Sequence, residues 1–198
     1  MDLKTVVNEA VAVLKEGGVI LYPTDTVWGI GCDATNEKAV AKVFEIKRRS
    51  EAKSLVLLAA DLDMVAKYIK EIPSIAIDLV EVNDSPMTII YPGAQYLAVN
   101  AVAEDGSVGI RIPYVDEDGS PQSAAFCREL ARRLRRPIVS TSANISGEDT
   151  PESFNEISEE IRNAVDYIAP KSLGRDSSGK ASQIIKIGLG GEVEIIRA

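Results

Sequence analysis

The residues whose types and spacing suit chemistry lie in short polar segments that directly follow apolar runs. The most polar segment, residues 140–147 (Ser-Thr-Ser-Ala-Asn-Ile-Ser-Gly), comes directly after the apolar pair Ile138 and Val139. Its hydroxyls and amide offer many hydrogen bonds to phosphate oxygens or to a nucleoside. A loop that merely caps the following helix would also contain serine and threonine, but it needs fewer of them. The segment therefore favours a binding loop for a phosphorylated ligand.

A second candidate is the pair Lys47 and Arg49, at the end of a predicted helix that begins near Glu37. Positive charges at this end complement the helix dipole, so a solvated helix terminus explains the pair without any ligand. The alternative is a phosphate clamp, in which the ammonium supplies a point charge and the guanidinium a two-pronged donor. The spacing alone leaves both interpretations open.

Two further segments place polar groups beside or within predicted strands. Residues 22–29 (Tyr-Pro-Thr-Asp-Thr-Val-Trp-Gly) follow an apolar strand and are typical either of a proline-initiated turn or of a binding loop. Arg111 lies within the apolar run Val108 to Ile112, where an arginine is costly to bury without a partner. It must therefore lie on an exposed face or meet an anion such as a carboxylate. The C-terminal segment adds Ser182 and Arg197 among glycines and strands.

Composition excludes several classes of site. The chain of 198 residues contains no histidine, which excludes Ser-His-Asp triads and imidazole-ligated zinc. Proton transfer or charge stabilisation must come from other side chains, from backbone amides or from a bound cation. Two cysteines, Cys32 and Cys127, indicate neither a disulfide framework nor a thiolate metal site, and we expect a reducing, cytoplasmic compartment. No apolar run reaches the ~18 to 20 residues of a membrane helix, so we expect no membrane contact.

The charge distribution bears on nucleic-acid binding. A net charge of −8 and a pI of about 4.7 argue against extended, non-specific binding to nucleic acid. The arginines between Arg128 and Arg136 could form a local RNA-binding face, but such a run is more often a solvated helix end, which we favour. Residues 174–181 match the spacing of a Walker A loop. However, Ala181 stands where a hydroxyl must hold magnesium, and the residues that follow favour a strand.

The elements that must position these segments follow from apolar periodicity. The spacing predicts helices over Leu3 to Lys15, Glu37 to Arg49, Leu62 to Lys70, Pro73 to Val82, Ser123 to Leu134 and Ser153 to Ala164. It predicts strands over Val19 to Tyr22, Leu55 to Leu58, Thr88 to Tyr91, Val108 to Ile112, Ile138 to Val139, Ile184 to Ile187 and Val193 to Ile196. The last two are expected to pair through the glycine-rich turn at 188–191. Alternating helices and strands predict an α/β fold: a single domain, residues 1–198, with a twisted mixed sheet flanked by helices.

Four of the segments together resemble the motifs of the YrdC-type (TsaC) threonylcarbamoyl-AMP synthases. They are Tyr-Pro-Thr-Asp-Thr-Val at 22–27, Lys-x-Arg at 47–49, Val-Gly-Ile-Arg-Ile-Pro at 108–113 and Ser-Thr-Ser-Ala-Asn-Ile-Ser-Gly at 140–147. The match runs in order from about Val7 to Arg197. The resemblance implies a single YrdC/RibB-like catalytic domain and a nucleotidyltransferase. Members make L-threonylcarbamoyl-AMP and pyrophosphate from L-threonine, bicarbonate or carbon dioxide, and ATP. The Mg²⁺ comes with the ATP, with no metal site in the protein.

The resemblance also implies roles for individual residues and for partners. Threonine is expected to contact Thr24, Arg111, Ser140 and Ser182. ATP is expected to contact Lys47, Arg49, Ser107, Ser142, Asn144, Thr150 and Arg197, with Lys47 and Arg49 as the catalytic pair. The product is expected to pass to separate proteins that transfer the threonylcarbamoyl group to adenosine in tRNA.

Two other functions fit parts of the sequence. The arginine run raises the alternative of a non-catalytic relative that binds nucleotide or double-stranded RNA, although the acidic chain predicts that any contact with tRNA or double-stranded RNA is weak. A dihydroxybutanone phosphate synthase-type enzyme on a similar scaffold ranks last, because that chemistry needs a histidine.

The chain departs from the pattern of the YrdC-type family at Ser50, where many members have proline, and at Leu58, where some have histidine.

Overall fold

The computed structural model describes residues 2–50 and 55–198, in which helices and strands alternate. The α-helices are Leu3–Lys15 (α1), Glu37–Lys47 (α2), Leu62–Tyr68 (α3), Ser74–Val82 (α4), Gln122–Leu134 (α5) and Glu159–Ala164 (α6). The strands are Ile20–Pro23 (β1), Trp28–Gly31 (β2), Val56–Leu58 (β3), Met87–Tyr91 (β4), Val108–Arg111 (β5), Ile138–Ser142 (β6), Tyr167–Ile168 (β7), Gln183–Ile187 (β8) and Val193–Arg197 (β9). No helix among the described residues is long and apolar enough to cross a membrane.

The strands of the described residues form one mixed sheet in the order β7-β1-β2-β6-β3-β5-β4-β8-β9. The pairs β1 with β7, β3 with β5 and β4 with β8 are parallel. The remaining neighbours are antiparallel, including the terminal hairpin β8–β9. The predicted α/β fold with a mixed sheet flanked by helices is therefore confirmed.

Helices pack against both faces of the sheet. Successive residues of a strand point to opposite sides, so one strand contributes side chains to both core clusters. Leu21 of β1 packs into the core cluster that contains Val43 and Phe44 of α2. Its neighbour Tyr22 packs into the other cluster, which contains residues of α1 and α5 such as Leu14. The helices α1 and α5 pack against each other on this second face.

Strand β2 is the main element that apolar periodicity did not predict. Two of its four residues are Gly29 and Gly31, which have low strand propensity. A Cβ atom built on Gly31 would lie 1.9 Å from the carbonyl oxygen of Val139. Glycine therefore allows β2 to lie this close to β6. Glycines placed for close approach leave no alternation of apolar and polar residues, so the strand was not detected in the sequence.

The predicted helix from Ser153 to Ala164 is wrong as a single element. Residues 154–156 form a 3₁₀ turn, and α6 begins only after Ser158, whose hydroxyl accepts a hydrogen bond from the amide of Ile161 at 3.4 Å. The hydroxyl therefore starts a new helix instead of continuing an existing one.

Two other predicted boundaries also change at the site. Helix α2 ends at Lys47 because Arg48 adopts a left-handed conformation with φ of 48°. The amide of Arg49 then bonds back to the carbonyl of Phe44 at 3.0 Å, as in a Schellman cap. Strand β6 runs three residues further than predicted, to Ser142, so the first part of the polar segment 140–147 is extended chain and not loop.

Candidate functional site

A cavity of about 910 Å³ lies on the sheet face that α1 and α5 cover only in part. Leu58 of β3 and Ile138 of β6 belong to the core cluster beneath those helices. Two residues away on the same strands, and therefore on the same face, Val56 and Ser140 line the cavity. The cavity thus occupies the part of the sheet where the helix layer ends.

The cavity collects most of the predicted site residues. Of the eleven residues predicted to contact threonine or ATP, nine line it: Thr24, Arg49, Ser107, Arg111, Ser140, Ser142, Thr150, Ser182 and Arg197. Lys47 and Asn144 do not belong to the lining of this cavity. The fold therefore brings the four separated motifs to one surface, while the role of each residue toward a ligand stays a prediction.

The first motif forms the turn between β1 and β2. The Thr24 hydroxyl donates to the carbonyl of Val27 at 2.8 Å, lies 2.7 Å from the hydroxyl of Thr26 and accepts the amide of Thr26 at 3.1 Å. Thr24 therefore fixes the turn through its own side chain, as the turn interpretation of the sequence expected. Both threonines still line the cavity, so the turn is also part of its wall.

Arg111, at the end of β5, is buried and has a partner from the chain itself. Its Nη1 atom donates to Oδ1 of Asp25 in a salt bridge whose two side chains are each only 4% exposed. Its Nη2 atom lies 3.5 Å from the hydroxyl of Thr26. The partner that the sequence required for a buried arginine is thus a carboxylate of the first motif. Asp25 was not among the predicted site residues, because spacing along the chain does not show which strand end meets which turn.

The segment that matched Walker A spacing docks against the same turn. The carbonyl oxygens of residues 24–26 accept hydrogen bonds in order from Ser177 Oγ, from the amide of Ser178 at 2.8 Å and from the amide of Gly179 at 2.8 Å. Gly179 has a φ of +72°, which glycine adopts without strain. Gly179 and Ala181 line the cavity, so the segment supplies one edge of it and does not open a helix.

The C-terminal strands form another part of the wall around Ser182. The Ser182 hydroxyl lies 2.8 Å from the hydroxyl of Thr88, which is fully buried in β4 and lines the cavity. Arg197 at the end of β9 donates from Nε to the carbonyl of Ser182 at 2.9 Å. Sequence reasoning missed Thr88; a lone hydroxyl within an apolar strand was the available signal.

Lys47 points into the protein from the last turn of α2. Its Nζ atom donates to the carbonyl of Ser142, to the carbonyl of Asn144 at 2.8 Å and to Oδ1 of Asn144 at 3.4 Å. Burial, together with the nearby positive charge of Arg49, lowers the pKa of Lys47 to about 8. The structure therefore connects the second motif to the fourth through this ammonium.

One carboxylate on the cavity wall is already engaged. Asp105 accepts both the amide and the hydroxyl of Ser107, and Lys186 donates to its other oxygen at 3.1 Å. The hydrogen bonds from Ser107 lower the pKa of Asp105 to about 2, so it is ionised at neutral pH. Within the described residues, no group of three or more cysteine or carboxylate side chains is arranged to hold a metal ion.

The arginine-rich end of α5 makes contacts within the chain. Arg132 and Arg133 pair with Glu129, and Arg136 pairs with Asp33 at 2.6 Å. Two carboxylates thus offset part of the positive charge of this run, and the basic residues at the end of α5 also complement the helix dipole.

Both cysteines are free and buried, and burial raises the pKa of each thiol well above its usual value. They are therefore inert thiols at neutral pH.

Comparisons with known proteins agree with this fold and these motifs. The sequence model of the Sua5/YciO/YrdC family, whose description reads "Telomere recombination", matches residues 12–198. A threonylcarbamoyl-AMP synthase of Halorhodospira halophila is 31% identical over 169 residues, which cover 85% of this chain and 84% of the relative.

Solved structures show the same architecture. Sua5 of P. abyssi complexed with L-threonine superposes with a TM-score of 0.81 at 26% identity, over 94% of this chain and 52% of that one. This chain thus spans about half the length of that Sua5. The YciO protein of E. coli shares the fold, with a TM-score of 0.76 at 22% identity over 99% of this chain and 89% of that one.

Proposed function

Because this chain belongs to the Sua5/YciO/YrdC family, we propose that it is a threonylcarbamoyl-AMP synthase. The enzyme joins L-threonine, bicarbonate or carbon dioxide, and ATP into L-threonylcarbamoyl-AMP and releases pyrophosphate, which makes it a nucleotidyltransferase. The observation that carries the proposal is the single cavity lined by nine of the eleven residues that the family motifs assign to threonine and ATP. Its volume of about 910 Å³ is ample for a nucleotide and an amino acid together.

The threonine subsite lies between the β1–β2 turn and the end of β5. Arg111 binds the carboxylate of threonine, while Thr24, Ser140 and Ser182 surround the rest of the molecule. This assignment is supported by the position of all four on the cavity wall and by the relative in P. abyssi, which was crystallised with L-threonine. The salt bridge with Asp25 fixes the orientation of the Arg111 guanidinium. Its remaining N–H groups can then bind the carboxylate of threonine in one geometry.

The ATP subsite uses the remaining residues of the wall. Arg49 and Arg197 supply positive charge to the triphosphate, and Ser107, Ser142 and Thr150 supply hydroxyl groups. Lys47 and Asn144 were predicted to contact ATP as well, but they lie outside the cavity lining, and no contact among the described residues supports that part of the prediction.

The chemistry needs orientation and charge more than a protein base. The amine of threonine adds to carbon dioxide and loses a proton to give a carbamate. A carbamate oxygen then attacks the α-phosphorus of ATP, the bond to the bridging oxygen breaks, and pyrophosphate leaves with that electron pair. Negative charge accumulates on phosphate oxygens, where positioned arginines stabilise it. A site without histidine suits this reaction, because the carbamate is an adequate nucleophile once it is aligned.

Magnesium enters with the nucleotide in this proposal. Among the described residues, the carboxylates on the cavity wall are those of Glu104 and Asp105, and the oxygens of Asp105 accept hydrogen bonds from Ser107 and Lys186. Mg²⁺ beside a nucleotide is usually bound by substrate phosphates, water and one or two carboxylates, and Glu104 is the carboxylate of this lining that could take that part. Bound there, Mg²⁺ would neutralise charge on the phosphates.

The product would serve tRNA modification, with separate proteins transferring its threonylcarbamoyl group to adenosine. Direct binding of tRNA or double-stranded RNA is disfavoured by the net charge of −8, and three arginines at the end of α5 pair with Glu129 and Asp33. The non-catalytic RNA-binding alternative therefore ranks below the enzyme.

The proposed activity is tested by incubating the protein with ATP, Mg²⁺, L-threonine and bicarbonate. We expect pyrophosphate release and a product with the mass of threonylcarbamoyl-AMP, and we expect both to require threonine and bicarbonate. Turnover that is unaffected when either is omitted would contradict the proposal. Arg111→Met should raise the KM for threonine more than that for ATP, whereas Arg48→Met, at an exposed position, serves as the control.

A further inference from the structure

The buried face of α2 ends with a lysine at a position where an apolar residue would be expected. The buried residues of this helix are Ala39, Val40, Val43, Phe44 and Lys47, which form one stripe at three- and four-residue spacing. The side chain of Lys47 therefore follows an apolar stripe into the protein and is 2% exposed. A charged group in this position is stable only if its donors are satisfied there.

Every donor of this ammonium has an acceptor within the chain. An ammonium has three N–H bonds and no acceptor capacity. Three oxygens receive them: the carbonyl of Ser142, the carbonyl of Asn144 and Oδ1 of the same asparagine. A phosphate oxygen could bind Lys47 only by displacing one of these acceptors.

The backbone of Lys47 holds the same turn. Its carbonyl accepts the amide of Ser146 at 2.9 Å, so residues 142–146 are attached to Lys47 through both side chain and main chain. The side chain of Asn144, whose Oδ1 contacts the ammonium, also donates from Nδ2 to the carbonyl of Glu148 at 2.7 Å. The ammonium thus joins the end of α2 to the whole turn that follows β6.

We propose that Lys47 is a positioning residue whose ammonium holds residues 142–146 and, through the carbonyl of Ser142, the end of β6, so that the hydroxyls of Ser140 and Ser142 keep their places in the cavity wall, and that it does not itself contact the triphosphate. The proposal deepens the proposed function, because those hydroxyls matter only if the cavity binds threonine and ATP. Its central claim, that the ammonium orders this turn, concerns the protein without any ligand.

The first test is hydrogen exchange of the ligand-free protein, compared with Lys47→Met, which keeps an unbranched side chain of nearly the same length but removes its donors. The amides of Ala143, Asn144 and Ser146 are hydrogen-bonded within or beside the turn. We expect their exchange to accelerate by about tenfold or more in the variant, since a charged hydrogen bond is lost. The amide of Val139 lies near the start of β6 and is bonded to the carbonyl of Cys32. Its exchange rate should be unchanged, which separates a local effect from unfolding. Unchanged exchange across 143–146 would overturn the proposal.

The second test compares ligands with and without phosphate by calorimetry. If Lys47 positions the turn, Lys47→Met should weaken the binding of both L-threonine and ATP by about tenfold each. If Lys47 contacts the triphosphate directly, ATP binding alone should weaken, which would overturn the proposal. Lys42→Met, an exposed position on the same helix, is the matched control. Failure of the wild type to bind either ligand would refute the proposed function, while the exchange result would still stand.

A third measurement uses the wild-type protein and so does not depend on how the variant folds. With ¹⁵N-labelled lysine, the Lys47 ammonium should give a signal protected from exchange with water in the absence of ligand. Addition of ATP should leave that signal without a coupling to phosphorus. A phosphorus coupling at Lys47, or an unprotected signal in the free protein, would overturn the proposal.

Discussion

Removing one charge from the pair between Arg111 and Asp25 should be the most damaging conservative change in the site. In Asp25→Asn the side chain keeps its shape, but the guanidinium of Arg111 loses its counter-charge. Both side chains are only 4% exposed, so water compensates poorly for the lost charge. Oδ2 of Asp25 accepts no hydrogen bond among the described residues, so the change removes the charge without removing a second hydrogen bond.

The magnitude follows from this burial. Breaking a buried ion pair by removing one partner costs roughly 3–5 kcal/mol, because an uncompensated charge remains. That is a large part of the about 5–15 kcal/mol that stabilises a typical domain. For a chain of this size each kcal/mol lowers the Tm by roughly 2–4 °C, so we expect a decrease of roughly 6–20 °C.

Urea denaturation at neutral pH measures the change directly. The matched control is Glu160→Gln, the same carboxylate-to-amide change in an ion pair with Arg48 whose side chains are 66% and 53% exposed, and it should cost less than about 1 kcal/mol. The double variant Asp25→Leu with Arg111→Met should cost at least about 2 kcal/mol less than the sum of its single changes, since no charge is left unpaired. A cost below about 1 kcal/mol for Asp25→Asn, or additive single changes, would refute the reasoning.

Three other changes have defined outcomes. Gly31→Ala should destabilise the fold by about 3 kcal/mol or more in urea denaturation, because its Cβ would meet the carbonyl oxygen of Val139 at 1.9 Å; Gly109→Ala, where the nearest atom is 3.4 Å away, should cost clearly less. Burial lowers the pKa of Lys47 to about 8, so the native state binds fewer protons than the unfolded state between about pH 8 and 10. The free energy of unfolding of the wild type relative to Lys47→Met should therefore rise with pH across that window, and a flat or falling difference would contradict the assignment. Arg197→Met should raise the KM for ATP more than that for threonine in the pyrophosphate assay; the reverse order would place Arg197 elsewhere.

An element of the fold was predictable where its own buried residues recur at the spacing of a helix or a strand. Helix α1 has the predicted bounds because its buried residues recur at helical spacing. The hairpin of β8 and β9 likewise follows from two β-rich runs joined by a glycine-rich turn. Strand β2 could not be predicted in this way, since its glycines are explained by the distance to Val139, a residue more than a hundred positions away. Strand β7, with only two residues, is too short to show any period.

The composition of the site was predictable, but its internal contacts were not. Polar segments after apolar runs mark strand ends, and strand ends meet at one cavity, so the grouping of Thr24, Arg111 and Ser182 follows from chemistry and topology. The partner of a buried cation depends on register instead. Arg111 pairs with Asp25 because the end of β5 lies beside the β1–β2 turn, and no feature of either segment specifies that adjacency.

The number of unused N–H donors distinguishes basic side chains that are bonded within the protein from those that can still bind a ligand. Arg111 has five N–H donors, and its hydrogen bonds within the described residues use Nη1 toward Asp25 and, at 3.5 Å, Nη2 toward Thr26. Arg197 bonds to Ser182 through Nε and, at 3.5 Å, Nη2. Each guanidinium keeps donors for an anion and lines the cavity, whereas all three donors of Lys47 are used by the turn after β6. The basic residues of one site therefore need not have the same role, since here Arg111 and Arg197 keep donors for a ligand and Lys47 holds the wall that the ligand meets.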